Sequence, residues 1–162
     1  MFLHLTITVA ALLMAQLDAI GETSAVGSWI VDARGESAAA QHVAMTLSSQ
    51  GSGVIAFTCR GDRAGLVLGL NKTRFRTPLG GRTVVRYEVG SDRAETDAEV
   101  VSEETLSFAD PVARTLLAKV ADAAVLSFTL PLVEGDDVTL VFRPVETTKA
   151  LAPLRAACRI DG

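Results

Sequence analysis

Period-two alternation of apolar and polar side chains runs through the middle of this chain, and it limits the fold more than any other feature. A strand places successive side chains on opposite faces, so each alternating run has one face to bury and one to leave in water. In the run His42–Ser48 the alternation assigns Val43, Met45 and Leu47 to the inner face and His42, Ala44, Thr46 and Ser48 to the outer one. In the next run Ile55, Phe57 and Cys59 face inward, followed by Leu66, Leu68 and Leu70 with Gly65 and Gly69 opposite. Thr83, Val85, Tyr87 and Val89 form a further inner face, with Arg82, Arg86 and Glu88 outside. Leu126, Phe128 and Leu130, then Val138, Leu140 and Phe142, complete the set, while Trp29 and Val31 begin the first strand.

Turn residues separate these runs: QGSG at 50–53, GDRAG at 61–65, PLGG at 78–81, GSD at 90–92 and EGDD at 134–137. Consecutive strands joined by such short turns are hairpin-connected and antiparallel. Two helices interrupt the pattern. Asp110 and Pro111 read as an N-cap and first helical residue, with Val112, Leu116 and Val120 at helical spacing. Near the C-terminus Leu151, Leu154 and Cys158 recur at i, i+3 and i+7, and Pro153 is expected in the first turn because an interior proline costs about 3 kcal/mol. The expected fold is mainly β, an antiparallel β-sandwich with two short helices.

The chain has two cysteines, Cys59 and Cys158, both beyond an N-terminal apolar run from Leu5 to Leu17. That run matches the core of a secretory signal and falls short of the roughly 20 residues that span a bilayer. Residues 1–19 are read as a signal peptide, with cleavage after Ala19 or as late as Ala25, leaving one domain over 26–162. No cysteine follows the run to carry a lipid, so the product is expected to be soluble in the periplasm, without stable membrane insertion. Both cysteines point inward in an exported chain, so a Cys59–Cys158 disulfide is expected to tether the C-terminal helix to the sheet.

Net charge is −4, which argues against a nucleic-acid partner. The charge is unevenly placed. Between Arg60 and Arg93 eight basic residues stand against Asp62, Glu88 and Asp92, whereas from Glu95 to Glu146 eleven acidic residues stand against Arg114, Lys119 and Arg143. Lys72, Arg74, Arg76, Arg82 and Arg86 are the candidate partner-binding residues, a positive ridge able to steer an acidic partner.

Catalytic chemistry has little to draw on. His42 is the one histidine beyond the signal, and no GxSxG precedes a helix. The histidine and cysteine counts exclude a zinc site of several such ligands, and no phosphate-binding glycine loop or other cofactor motif is present. Glu95, Asp97 and Glu99, and Glu134, Asp136 and Asp137, are the carboxylates available for acid/base work or calcium; they read more simply as a strand face and a turn. No catalytic residue, metal ligand or cofactor is assigned.

The order of features is similar to one known family. A signal, a GSW opening, a strand ending in Cys59-Arg60, a VVRYEV strand, Phe108 leading into a helix with Leu116-Leu117, and the ending ALAPLRAAC resemble the TagO/VasI family of type VI secretion-associated periplasmic proteins. The resemblance spans residues 27–158 and is most specific from Ala150 to Cys158. It implies a non-enzymatic accessory protein whose partner is another envelope protein, a component of the secretion apparatus. Two further readings remain: an inhibitor that plugs a hydrolase with an exposed rigid loop at Lys72–Arg76, and a carboxylate-dependent glycan hydrolase with a cleft.

Overall fold

A computed structural model describes residues 22–34, 41–71, 74–132 and 135–160. The signal segment, Lys72 and Glu134 lie outside the described residues. Ten strands are hydrogen-bonded into one antiparallel sheet: β1 (Glu22–Val26), β2 (Trp29–Arg34), β3 (Gln41–Leu47), β4 (Gly53–Arg60), β5 (Arg63–Leu70), β6 (Arg82–Val89), β7 (Asp92–Ser102), β8 (Thr105–Phe108), β9 (Leu126–Leu130) and β10 (Val138–Phe142). The spatial order is β1-β2-β3-β4-β5-β8-β7-β6-β9-β10. Hairpins join neighbours as expected except after β5, which pairs with β8, and after β8, since β9 pairs with β6; β6, β7 and β8 run back across the sheet as a meander. Helices α1 (Asp110–Val120) and α2 (Thr147–Ala157) complete the elements of the described residues.

The sheet folds over on itself. Phe108 of β8 and Phe128 of β9 are separated by β7 and β6, a path of about 14 Å in a flat sheet, yet their ring centroids lie 5.9 Å apart. Phe128 also meets Tyr87 at 6.4 Å and Phe142 at 6.2 Å, which makes it the hub of the core. At the far edge the amide of Ser49, in the β3–β4 turn, donates to the Val141 carbonyl at 2.7 Å, and the Val141 amide donates to Gln50 Oε1 at 3.4 Å. This turn therefore covers the outer backbone edge of β10, where an open ladder would otherwise invite pairing with another chain.

Alternation correctly assigned the inner faces of β4, β5, β6 and β9, all of which are buried. It inverted β3. Ala44 is fully buried in the main core, whereas Val43 and Met45 pack on the opposite face with Ala56 and Val54, and Leu47 is exposed. Register explains why: Ala44 lies opposite Phe57 and His42 opposite Cys59, and cross-strand partners share a face. Two of the polar residues turned inward, Thr46 and Ser48, are satisfied by turn backbone. Thr46 donates to the Ser28 carbonyl at 2.9 Å, and Ser48 Oγ accepts from the amides of Ser52 and Gly53 at 3.1 and 3.0 Å.

His42 is consequently on the core-facing side of β3 and half-buried, not on an outer face, and its Nδ1 is buried without a hydrogen-bond partner. An unsatisfied buried polar atom costs about 1–3 kcal/mol. His42→Leu should therefore stabilise the domain by about 1 kcal/mol, read as a higher urea midpoint at unchanged slope. A lower midpoint would show that Nδ1 has a partner in solution.

Trp29 opens the second strand, not the first; β1 precedes it inside the segment read as a late cleavage region. The β1–β2 hairpin turns through Gly27 and Ser28, with φ +59° at Gly27 alone of the two, the signature of a type II′ turn. Each residue of the GSW opening grips the segment entering α2. Gly27 packs so closely that a Cβ there would lie 2.3 Å from the Val145 carbonyl oxygen, Ser28 Oγ accepts from the Val145 amide at 3.0 Å, and the Trp29 indole donates to Thr147 Oγ1 at 3.2 Å.

Both helix starts differ from expectation. Ala109 is the N-cap of α1, and Asp110 sits in the first turn with its Oδ1 accepting from the Ala64 amide of β5 at 2.7 Å. Packing onto β5 thus claims the carboxylate that would have capped the helix. α2 begins at Thr147, six residues before Pro153, so the proline lies in the helix interior and not in its first turn. Pro153 and Lys149 are both exposed, so the carbonyl left without its i+4 donor faces water and the proline is tolerated there.

The Cys59–Cys158 disulfide forms as expected, with Cα atoms 5.7 Å apart and both residues fully buried, and it ties the end of α2 to the middle of the sheet. Arg114 of α1 reinforces that corner, donating to the carbonyls of Cys158 at 2.5 Å and Asp62 at 2.6 Å while lying 3.5 Å from Asp110. On the opposite flank Lys119 donates to Asp92 at 2.7 Å, and this hydrogen bond, together with the Asp92 charge, raises the lysine pKa above its ordinary value. A raised lysine pKa favours the folded state through neutral pH, and that contribution is lost only as pH climbs through the elevated value.

Candidate partner-binding face

The hairpin β6–β7 brings together the two charge blocks that are separate in the sequence. Register places Arg82 opposite Glu99, Val84 opposite Asp97, Arg86 opposite Glu95 and Glu88 opposite Arg93, all on the solvent face. A basic strand is thus zipped against an acidic one, and the ridge becomes a mixed surface. Arg86 reaches Asp137 at 2.9 Å, Arg93 reaches Glu88 at 3.0 Å and Arg74 reaches Glu103 at 3.3 Å. Exposed pairs of this kind contribute about 0–1 kcal/mol each, so their main effect is on what the face attracts.

Arg76 and Arg82 differ from these. Arg76 Nε donates to the Leu132 carbonyl at 3.2 Å, and neither arginine has a carboxylate at ion-pair distance among the described residues. The two flank the turn Pro78–Gly81, so the free positive charge of this face is concentrated at one end.

That turn is held on three sides. Phe75 is buried and bridges Leu132, the Gly81 amide donates to the Pro78 carbonyl at 2.9 Å, and the Gly80 amide and Gly81 carbonyl bond the carbonyl and amide of Val100 at 2.8 and 2.9 Å. Gly80 has φ +79° at the third turn position, which defines a type II turn and favours glycine there. Leu79, at the second position, is driven outward and is 71% exposed; Val101 of β7 at 45% and Val84 of β6 at 53% are exposed as well. Leu79 was not among the residues expected to bind. An apolar residue at the second position of a glycine-closed turn cannot reach a core, and that was the signal available in the sequence.

The remaining candidates do not converge. Glu95, Asp97 and Glu99 follow one another at period two along the exposed face of β7, and Asp136 and Asp137 are exposed beyond β9. Among the described residues no three histidine, cysteine or acidic side chains are grouped so as to hold a metal ion, and no helix is long and apolar enough to cross a membrane.

No family model and no curated protein matches the chain. In architecture it is similar to invasion associated protein B from Bartonella henselae, whose crystal structure aligns with a TM-score of 0.55 over 85% of this chain and 99% of that one, at 13% sequence identity. Likeness at that identity concerns the fold, and the two proteins share one.

Proposed function

We propose that the chain is a non-enzymatic binding or accessory domain of the bacterial envelope, exported by its N-terminal signal and working in the periplasm on another envelope protein. The observation that carries this reading is the buried Cys59–Cys158 bond, which closes 99 residues and belongs to an oxidising compartment. Binding rather than chemistry is supported by where the candidate catalytic groups have gone. Asp137 is spent on Arg86, the β7 carboxylates are strung along an open strand face, and His42 is turned toward the core.

The narrower placement in a type VI secretion apparatus rests on the ending Ala150–Cys158, which forms all but the first three residues of α2 together with the tethering cysteine. Hydrolase inhibition is favoured by a separate observation, the pinned and exposed turn at Leu79, which lies just beyond the Lys72–Arg76 segment expected to fill that role.

Recovery of the protein from the periplasmic fraction tests the reading. Mass analysis without reductant should find a chain that starts after Ala19 and has no alkylatable thiol. Cleavage there leaves β1 whole, whereas cleavage after Ala25 would remove four of its five residues. A full-length cytoplasmic chain with two reactive thiols would sink the proposal.

A further inference from the structure

We infer that the Arg74–Gly81 loop is an anchoring finger, with Leu79 entering an apolar pocket on a partner protein and Arg76 and Arg82 meeting carboxylates on the pocket rim. The inference rests on the binding reading and gives it an epitope. Leu79 is the most exposed of the large hydrophobic side chains, and it stands on a turn already fixed by hydrogen bonds to Val100 and by the buried Phe75. A residue held this way gives up little conformational freedom when it is buried, which is what binding anchors require. Val101 and Val84, on the two strands that adjoin the turn, add further exposed apolar surface.

Charge selects the partner. The two arginines that flank the turn Pro78–Gly81, Arg76 and Arg82, lack carboxylates of their own among the described residues, while the arginines farther from it, Arg74 and Arg86, are neutralised by Glu103 and Asp137. A partner therefore needs few acidic groups, placed close to its pocket. An anionic bilayer would present negative charge over the whole face and meet Glu99, Asp97 and Glu103 as well, which are exposed beside the finger. That repulsion favours a protein with a confined acidic rim.

Site-directed photo-crosslinking in the full-length chain, expressed in its own cells, tests this. A photoreactive residue replaces Leu79 in one variant and Thr139, on the exposed face of β10, in another. Position 79 should give one protein adduct, whose crosslinked peptide contains apolar residues next to Asp or Glu. Its yield should fall at least fivefold when Arg76→Glu and Arg82→Glu are added, with the melting temperature unchanged. An adduct indifferent to the charge reversal, an adduct of two copies of this chain, or flotation with phosphatidylethanolamine–phosphatidylglycerol vesicles that depends on Leu79 would overturn the inference. Adducts from position 139 but none from 79 would overturn the finger and leave the binding reading standing. Silence at both positions would end both.

Discussion

Cys59→Ala combined with Cys158→Ala should lower the unfolding free energy by about 2–5 kcal/mol, as removing a native disulfide does in small exported domains. The bond joins residues 99 apart, for which the chain-entropy model gives about 4.7 kcal/mol, against a total of about 5–15 kcal/mol for a typical domain. Urea titration measures it, and wild type with its disulfide reduced should unfold at the same midpoint as the double variant. A loss below about 0.5 kcal/mol would show that Arg114 and the buried face of α2 hold the corner unaided.

Gly27→Ala should be the most damaging single methyl addition in the described structure. The left-handed backbone conformation alone costs an alanine about 1–2 kcal/mol, and here the new Cβ also lies 2.3 Å from a backbone oxygen that cannot rotate away. Relief requires the Val145 segment to move, which breaks the Ser28 latch and draws Thr147 from the Trp29 indole. A total of about 3–4 kcal/mol is expected, a fall in melting temperature on the order of 10 °C for a domain of this size. Gly90 supplies the control, since it has φ +61° and open space around its Cβ position. Gly90→Ala should cost only the conformational part. Equal losses at the two sites would show that close approach to Val145 is irrelevant.

How far the sequence could be read depended on which forces dominate at each place. On β4, β5, β6 and β9 the large apolar residues are the buried ones, so alternation gave the faces directly. β3 failed because register sets Ala44 opposite Phe57, so the smallest apolar residue of the run goes to the main core while Val43 and Met45 go to the other side. Hydrophobicity of the run alone ranks those residues the other way. The N-terminus of α1 failed for another reason: a carboxylate suited to capping was taken by a strand amide 46 residues away, a tertiary partner that local pattern does not encode. For the candidate face, the arginines were legible as residues and their neutralisation was not. Blocks of opposite charge look separate along a chain until the fold brings Arg86 to Asp137 and Arg74 to Glu103. Leu79 was read only as part of the turn PLGG, and the exposure that its place there implies was not drawn.

The position of the disulfide also determines how this domain would respond to being pulled. Tension applied at the two ends of the chain enters through β1 and leaves through the residues after Cys158. Between them the covalent link from Cys158 to Cys59 is the shorter path, so the load bypasses β5 to β10 and both helices. Only the segment ahead of Cys59 can be drawn out, beginning with β1 peeling from β2. The 99 residues behind the bond would otherwise yield roughly 340 Å of length at about 3.3–3.6 Å per residue. That length stays locked, and with it the face that carries Leu79, Arg76 and Arg82. Under load the domain behaves as a short extensible leader fixed to an inextensible block.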